Sequence, residues 1–411
     1  MTACPISVSP RSTRRREEGF TLVELMVALL LSLLLAVAML KMQSKMASQT
    51  VRVSDTGTRD TQARAAMDLI TRDLSSSGFL FANSPYACDA LFTYNSGASY
   101  FVHHSVDALA AVTGTKMNFA PSLTLNYPPA GAPGLASDVL VMTMATSASQ
   151  FNDGTNLVLL GDGFAGGNPL GDGVLPLGKT TTLVAGDAAI VQAPIGTSGT
   201  ACMRVPVSAV GPGSKMKSNP GTTMPPGYYN DFVAQVAGAG FGAPLTNVAL
   251  FYSYVVDIGT KATSTQVTNV YYIDGSGAYP VLMRARYSLV DDTVITTPQP
   301  IAAGVVALRT SFGVDPGSTG SVTAYETGDQ VTTNHHWSFV RSVRVALVTR
   351  TINDDPTSDS TGYVGPTTIP IGPAASGASA AWFSSITVPA SQHRYAVNTT
   401  EVAYRNWLWR N

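Results

Sequence analysis

The sequence predicts an α+β fold in which a long N-terminal α-helix is followed by a large, antiparallel, β-rich body. Two observations support this prediction. No proline interrupts residues 20–84, where apolar residues recur at helical spacing. From about Leu80 onward, Gly, Ser, Thr, Ala and Val dominate, and apolar runs of strand length alternate with turn residues. Because no helical crossovers separate these runs, an antiparallel sheet is expected.

The composition excludes several classes of function. Of the 411 residues, 45% are hydrophobic and only 12% are charged, against roughly 25% charged in an ordinary soluble protein. The formal net charge of −1 provides no overall positive potential to attract the phosphate groups of a nucleic acid, so no nucleic-acid partner is expected. The 37 glycines and 25 prolines argue against an all-helical body.

The first 40 residues have the organisation of a membrane anchor. A basic cluster ending at Arg16 precedes an apolar run, Phe20–Leu40, which as a helix would span about 32 Å. The positive-inside rule places residues 1–19 in the cytoplasm and everything after Lys41 outside. Glu24 interrupts the apolar run. An acid in hydrocarbon costs about 2.5–3.5 kcal/mol and is by default a functional group that requires a cation.

The stretch from Gly19 to Glu24 resembles the processing site of type IV prepilins and their pseudopilin relatives. The resemblance implies that a prepilin peptidase removes residues 1–19 by cutting between Gly19 and Phe20, and that Phe20 is then N-methylated. It also implies that Glu24 offsets the amino terminus of a neighbouring subunit inside a filament, since two buried charges are costly alone and tolerable together. Cleavage would remove four arginines and two glutamates and change the net charge from −1 to −3.

Two alternatives for this terminus remain open. One is an ordinary secretory signal peptide, with an apolar core over residues 25–35 and a small-residue cleavage site at Ala36-Val37-Ala38. The other is a plain single-pass anchor. Neither accounts for Glu24.

Residues 41–78 predict an amphipathic second half of the same helix. Its apolar stripe repeats at spacings of three and four, and comprises Ala63, Ala66, Met67, Ile70 and Leu74. Another face carries charges that alternate in sign every four residues, namely Asp60, Arg64, Asp68 and Arg72. Gly78 is expected to end the helix.

Residues 79–411 are expected to form the β-rich head, with a Gly-rich insertion around residues 150–180. Nine segments read as strands because they are rich in β-branched residues and bounded by turn signals. They are residues 138–145, 181–192, 203–210, 248–258, 267–273, 281–289, 305–314, 337–351 and 395–404.

Three stretches narrow the resemblance to the PilW-type minor pilins. Residues 63–74, followed by Gly78-Phe79, resemble that family's second half-helix, residues 341–350 its terminal sheet, and residues 398–406 its C-terminal ending. The resemblance implies a type IV pilin-like fold with a transmembrane first half-helix. Two features depart from the pattern. Major pilins often carry a proline where this chain has Lys41, and the chain continues through residues 407–411.

The cysteines predict one disulfide in the mature chain. Cleavage after Gly19 would remove Cys4 and leave Cys88 and Cys202 in the oxidising periplasm. A bridge that closes so long a loop would stabilise the fold by about 4–5 kcal/mol on the chain-entropy model. Two separate thiols are the alternative.

Several sequence patterns resemble ligand-binding motifs, but the residues around them do not suit such sites. Residues 173–180 match the phosphate-loop pattern, but a Gly-rich loop precedes them and a predicted strand follows, so no nucleotide binding is expected. The Asp-Gly triplets at 152–154, 161–163 and 171–173 suit hairpin turns better than calcium sites, although calcium stays open. The paired histidines at 103–104 and 335–336 would point to opposite faces of a strand. With no catalytic motif present, no enzyme activity, metal or cofactor is expected.

By this resemblance, the chain is a minor pilin that takes part in initiating and assembling type IV pili in a priming complex at the tip, supporting motility, adhesion or DNA uptake. Its expected partners are other minor and major pilins through Phe20–Leu40, the prepilin peptidase, the inner-membrane assembly platform and a tip adhesin. The expected location is the bacterial inner membrane with a periplasmic head, and then the pilus tip. The rivals are a minor pseudopilin of a type II secretion system and an exported periplasmic binding or catalytic domain.

Overall fold

A computed structural model describes most of the helix and of the C-terminal half of the chain. The described residues are 21–77, 89–95, 99–104, 106–110, 116–117, 120–127, 137–145, 157–159, 174–176, 183–194, 200–211, 215–217, 254–355, 363–372 and 384–404. The proposed leader, the predicted helix end at Gly78, Cys4, Cys88, the Asp-Gly triplets and the tail at 407–411 lie outside these ranges.

The chain divides into two compact units, residues 1–53 and residues 54–411. Within the described residues, one long α-helix, α1, runs over Leu22–Ser76, and a short second α-helix, α2, covers Gly328–Thr333. Otherwise the described part of the second unit is largely β-structure. A long N-terminal helix and a β-rich head confirm the predicted α+β class.

Twenty-two described strands follow α1 in the chain. They are β1 Ala90–Asn95, β2 Ser99–His103, β3 Val106–Ala110, β4 Lys116–Met117, β5 Ala120–Thr124, β6 Asp138–Ala145, β7 Leu157–Leu159, β8 Val174–Pro176, β9 Ala188–Pro194, β10 Thr200–Pro206, β11 Ala209–Gly211, β12 Lys215–Lys217, β13 Tyr254–Gly259, β14 Gln266–Asp274, β15 Val281–Ser288, β16 Val294–Ala303, β17 Val305–Val314, β18 Ala324–Glu326, β19 Val340–Arg350, β20 Thr368–Pro370, β21 Ser385–Thr387 and β22 Tyr395–Ala403.

Three larger sheets organise these strands. Their orders are β2-β1-β10-β9-β13-β7, β16-β15-β14-β6-β3 and β18-β17-β19-β22. The remaining described strands form one three-stranded sheet, β11-β12-β8, and two pairs, β20-β21 and β4-β5. The four-stranded and five-stranded sheets matter most for function because the C-terminal part of α1 packs with them.

The main core joins α1 to these two sheets. Ile70 and Leu74 of α1 share one cluster of buried side chains with Tyr271 of β14, Phe312 of β17 and Leu347 of β19. β17 is buried along its whole length. Burying a large apolar side chain stabilises a fold by about 1.5–3 kcal/mol, so this cluster fixes residues 54–76 of α1 on the head.

The five-stranded sheet is covered on both faces, as the alternation of side chains along β14 demonstrates. Val267, Tyr271 and Ile273 belong to the main core, whereas Val270 and Tyr272 belong to a separate cluster. This period of two is the pattern expected for a strand. Residues 123–125 cover the second face.

The six-stranded sheet is tied to the five-stranded sheet by a buried ion pair. Arg204 of β10 donates from Nη1 and Nη2 to the two carboxylate oxygens of Asp292, both at 2.8 Å, and Nη1 also reaches the Leu289 carbonyl at 2.9 Å. Asp292 has a positive φ of 57° in the loop that follows β15. A two-pronged pair of this kind fixes orientation as well as distance.

The prediction of a purely antiparallel sheet is wrong at one place. β1 pairs in parallel with β10, with Ala90 opposite Ala201. The two strands are far apart in the sequence, so the long intervening chain makes the crossover that no single predicted helix provided. Every other described strand pair is antiparallel.

Several predicted strand boundaries also need correction. Residues 183–187 form a turn instead of the start of a strand, because Gly186 has a φ of 100° and the Asp187 carboxylate accepts the Val184 amide at 2.8 Å. Trp337–Phe339 form a 3-10 turn before β19 begins. The predicted strand 203–210 ends at Pro206, and β13 begins only at Tyr254, while residues 248–253 lie outside the described part.

Many of the described strands were not among the nine predicted ones, including β1–β5 and β16, and the short helix α2 was also missed. β16 contains Pro298 and Pro300, and it lies at a sheet edge, where proline is tolerated. α2 is only six residues long, but its Thr327 and Gln330 form a capping box, a signature that the sequence displays.

Candidate functional site

The first turn of α1 holds the glutamate that the sequence analysis singled out. The Thr21 amide and hydroxyl both donate to Oε2 of Glu24 at 3.0 Å, and the Glu24 amide donates to the Thr21 hydroxyl at 3.3 Å. This reciprocal arrangement is a capping box, which satisfies backbone donors that a helix start leaves free. Both described contacts of the carboxylate use Oε2, so within the described chain Oε1 remains available to a further donor.

The rest of this segment presents an apolar surface. Leucine, valine and methionine side chains from Leu22 to Leu40 are 45–76% exposed. An 18-residue window of the helix has a mean hydropathy of 2.7, and none of that window is buried within the chain. By length and composition the helix can therefore cross a membrane, and its apolar surface lacks cover from the single chain.

The predicted processing site is only partly described. Gly19 and Phe20 lie outside the described residues, so cleavage and methylation stay predictions. Glu24 lies in the first turn of α1, which begins at Leu22. The role of Thr21 was missed, although the pattern Thr-x-x-Glu before an apolar run is the signal that predicts a capping box.

The C-terminal part of α1 buries the stripe that periodicity predicted. Its five members, Ala63, Ala66, Met67, Ile70 and Leu74, are all buried. On the opposite face Arg64, Asp68 and Arg72 are exposed. Asp60 forms its ion pair with the adjacent Arg59 at 2.6 Å, so the predicted four-residue spacing of ion pairs does not describe this residue.

A buried acid, Asp73, lies at the centre of the contact between α1 and the five-stranded sheet. Its side chain is almost fully buried, and Oδ2 accepts three bonds. Tyr271 donates its hydroxyl at 2.6 Å, Arg284 donates Nη2 at 2.7 Å, and Asn269 donates its amide at 2.8 Å. Arg286 extends the network by donating to the Asn269 carbonyl at 3.2 Å.

The surroundings of this network shift the pKa values of two of its members, Tyr271 and Arg286. Burial and the Asp73 charge raise the pKa of the Tyr271 hydroxyl far above its usual range, so Tyr271 acts as a donor. Burial and the neighbouring Arg284 cation lower the pKa of Arg286 from its usual value, although a guanidinium stays protonated. Asp73 thus binds Arg284 directly and is linked to Arg286 through Asn269.

Three further polar contacts secure the preceding turns of α1 to the head. Asn353 donates to the Asp55 carboxylate at 2.9 Å, Arg59 donates to the Arg394 carbonyl at 3.1 Å, and Gln62 accepts the Ala303 amide at 3.0 Å. Together with the bonds of Asp73, these contacts fix the position of residues 55–73 along the helix axis and their rotation about that axis.

Cys202 is disulfide-bonded and fully buried in β10. Cys88 lies outside the described residues, but its neighbour Asp89 is close to this strand. The Asp89 carboxylate accepts the Thr200 amide at 2.7 Å, and the Asp89 amide donates to the Thr200 carbonyl at 3.0 Å. These bonds lie within two residues of Cys202, which favours Cys88 as its partner.

The discarded ligand patterns occupy ordinary structural positions where they are described. Val174–Pro176, in the middle of the phosphate-loop pattern, form β8 and pair with β12. His104 stacks on Trp337 with ring centroids 3.6 Å apart, and His336 bonds to Glu326 at 2.9 Å. His335 and His336 follow α2 and are not on a strand as expected. Over the described residues, no cluster of three or more His, Cys, Asp or Glu could hold a metal ion.

Comparison with known families agrees with the two ends of this architecture. Residues 14–40 match the prokaryotic N-terminal methylation motif, and residues 270–406 match the family described as Type IV Pilus-assembly protein W. These two matches support a PilW-type type IV minor pilin. The family match spans β14 to the end of β22, including two of the three stretches that carried the resemblance, whereas residues 63–78 fall outside it.

Other comparisons add little to this assignment. A solved type IV-like pilin from Thermus thermophilus is 12% identical to this chain, with a TM-score of 0.21 over 34% of this chain and 66% of that one. No curated protein matches the chain.

Proposed function

We propose that this minor pilin initiates and supports assembly of type IV pili as part of a priming complex at the filament tip. Its partners are other minor pilins, major pilins and a tip adhesin, and its head is periplasmic before assembly. The prepilin peptidase cuts between Gly19 and Phe20, Phe20 is N-methylated, and the inner-membrane platform receives the mature subunit.

One observation carries the proposal. A methylation motif at residues 14–40 and a pilus-assembly match at residues 270–406 occur in one chain, and the apolar side chains in the first half of its long helix are exposed. The pilus-assembly match favours a pilus over the rival type II secretion system. An ordinary secretory signal would not explain the acid in the apolar run.

The chemistry of assembly follows from the first turn of α1. Packing against helices of other subunits would cover the exposed apolar side chains between Leu22 and Leu40. Glu24 would then lose contact with water, and its Oε1 could accept the charged amino terminus of a neighbouring subunit. Because the Thr21 contacts already satisfy Oε2, the carboxylate is held in one orientation before that partner arrives.

Replacing Glu24 tests this role. Glu24→Ala is expected to leave processing intact, since the cut lies five residues away, and to reduce surface piliation by about tenfold or more, because a buried amino terminus would lose its partner. Glu24→Gln is the matched control for size and hydrogen bonding. Piliation by both variants at the wild-type level would refute the proposal.

Mass spectrometry of the intact mature protein tests the processing step. A mass that corresponds to a chain beginning at methylated Phe20 is expected. A chain beginning near Met39 would support the secretory-signal alternative, and an uncleaved chain would support the plain anchor.

A further inference from the structure

β22 forms one edge of the four-stranded sheet. It pairs with β19 over nine residues, from Tyr395 opposite Arg350 to Ala403 opposite Ser342, without a register shift. No described strand pairs with its outer side. The edge is also reachable, since Thr399, Glu401 and Ala403 are exposed.

The hydrogen bonds at the two ends of β22 establish which backbone groups point outward. The Tyr404 amide donates to the Arg341 carbonyl at 2.7 Å, and the Arg394 carbonyl accepts the Thr351 amide at 2.9 Å. Even-numbered residues therefore direct their backbone groups towards β19. Because direction alternates along a strand, the odd-numbered residues from 395 to 403 direct their N–H and C=O groups outward.

This edge lacks the features that protect other edges of the head. β16 carries Pro298 and Pro300 and three register shifts against its neighbour, and β18 is three residues long. β22 is nine residues long, regular, and free of proline and lysine. Native proteins normally block such an edge, since its unpaired backbone is a template for another strand.

Glu401, the only charged residue of β22, forms its hydrogen bonds with residues of its own sheet. The Glu401 carboxylate accepts the Ser342 hydroxyl at 2.6 Å, the Tyr325 hydroxyl at 2.9 Å and Arg344 Nη2 at 3.0 Å. It therefore does not repel an approaching strand. Val397 and Val402 lie partly buried at the margin of the main core, where an added strand would cover them.

We propose that β22 binds an extended segment of another pilus subunit, which adds to the four-stranded sheet as a fifth strand. The outward-facing N–H and C=O groups of β22 can pair with the backbone of an extended chain. Apolar side chains of that added strand would lie beside Val402. A second copy of this chain fits less well. Antiparallel self-pairing centred on Thr399 would place Glu401 of each copy opposite Val397 of the other.

This inference rests on the proposed assembly role and is tested in the full chain, in cells that assemble pili. A photo-crosslinking amino acid at Ala403 is expected to join the chain to another subunit that carries a methylated N-terminus, with the crosslinked peptide mapped by mass spectrometry. Crosslinks only to a second copy, or to no such subunit, would overturn the inference.

Proline at an outward-facing position makes the test specific. Thr399→Pro removes an N–H that makes no bond within the sheet, so the fold should persist while the crosslink falls by about tenfold. Thr399→Val keeps the N–H and should retain the crosslink. If Thr399→Pro proves unfolded by circular dichroism, Val397→Pro replaces it, as its N–H also points outward. An unchanged crosslink in a folded proline variant would refute strand addition.

These experiments distinguish a failure of the strand addition at β22 from a failure of the proposed assembly role. Loss of piliation in Glu24→Ala, together with a crosslink that proline does not affect, would leave the assembly role standing and remove only the strand addition. Normal piliation in Glu24→Ala and Glu24→Gln would remove the assembly role.

Discussion

At the residue scale, Asp73 is the charge on which the contact between α1 and the head depends. Three donors converge on one buried oxygen, and two of them, Tyr271 and Arg284, lie on neighbouring strands. Buried ion pairs contribute little net stability compared with apolar packing, but losing one partner leaves the other charge unpaired in the interior. The network therefore specifies a position for the helix more than it adds stability.

Asp73→Asn is expected to lower the free energy of unfolding by about 3–5 kcal/mol, because the Arg284 cation would remain buried without a counter-charge. Urea unfolding of the full chain in detergent measures the change. Asp68→Asn, on the exposed face of the same helix, should stay within about 0.5 kcal/mol of wild type. Equal effects of the two variants would contradict the assignment.

Asp107 gives the head a pH-dependent stability. Burial raises the pKa of this carboxyl to about 7, the Ala108 amide opposes the rise, and the nearby Asp329 adds to it. Since the folded state holds the proton more tightly than the unfolded state, the contribution of Asp107 to stability is fully present below about pH 4 and is lost as pH rises through about 7.

Asp107→Asn should remove this part of the pH dependence. The wild type is expected to lose about 2 kcal/mol or more relative to the variant between pH 4 and pH 8, because only the wild type must bury a charge at high pH. Parallel unfolding curves at the two pH values provide the measurement. A constant difference between the two proteins would show that Asp107 does not titrate in this range.

At the scale of elements, α1 consists of two segments with different chemistry. Residues 22–40 expose their apolar side chains, whereas residues 63–74 bury a stripe that contains two alanines. Small side chains allow the helix backbone to approach the sheet closely, and Ile70 and Leu74 fill the remaining space. One continuous element therefore offers a surface to partners at one end and a packed contact at the other.

Ile70→Ala is expected to destabilise the head by about 2–5 kcal/mol, since the side chain is fully buried and its removal leaves a cavity. Denaturant unfolding of the full chain measures the loss. Leu69→Ala, which alters a partly buried neighbour, is the control and should cost clearly less. Because residues 22–40 are untouched, membrane insertion should be the same in both variants.

At the scale of the whole molecule, a disulfide involves Cys202 in β10 of the six-stranded sheet. If Cys88 is its partner, as predicted, Cys88→Ser and Cys202→Ser should each lower the free energy of unfolding by about 4–5 kcal/mol on the chain-entropy model. The double variant should lose no more than either single variant. Additive losses, or a stability of the wild type that does not respond to reductant, would contradict the pairing.

Prediction from the sequence succeeded where the cause is local. The stripe from Ala63 to Leu74 follows from the helical repeat, and β17 over Val305–Val314 follows from a run of apolar and β-branched residues. It failed where a neighbour decides the outcome. β16 was not among the predicted strands, and its place at a sheet edge explains why its two prolines are tolerated.

The sequence by itself determined the α+β class, the apolar anchor with its acid at Glu24, and the buried face of the helix. The periodicity of apolar residues, the length of an apolar run and the local charge pattern depend on residues close together in the chain, so a single sequence is enough to detect them. Only the tertiary structure decided that Asp73 lies against Arg284, that β1 runs parallel to β10, and that β22 is an edge strand among the described strands. These features arise from contacts between residues far apart in the chain, which no local pattern encodes.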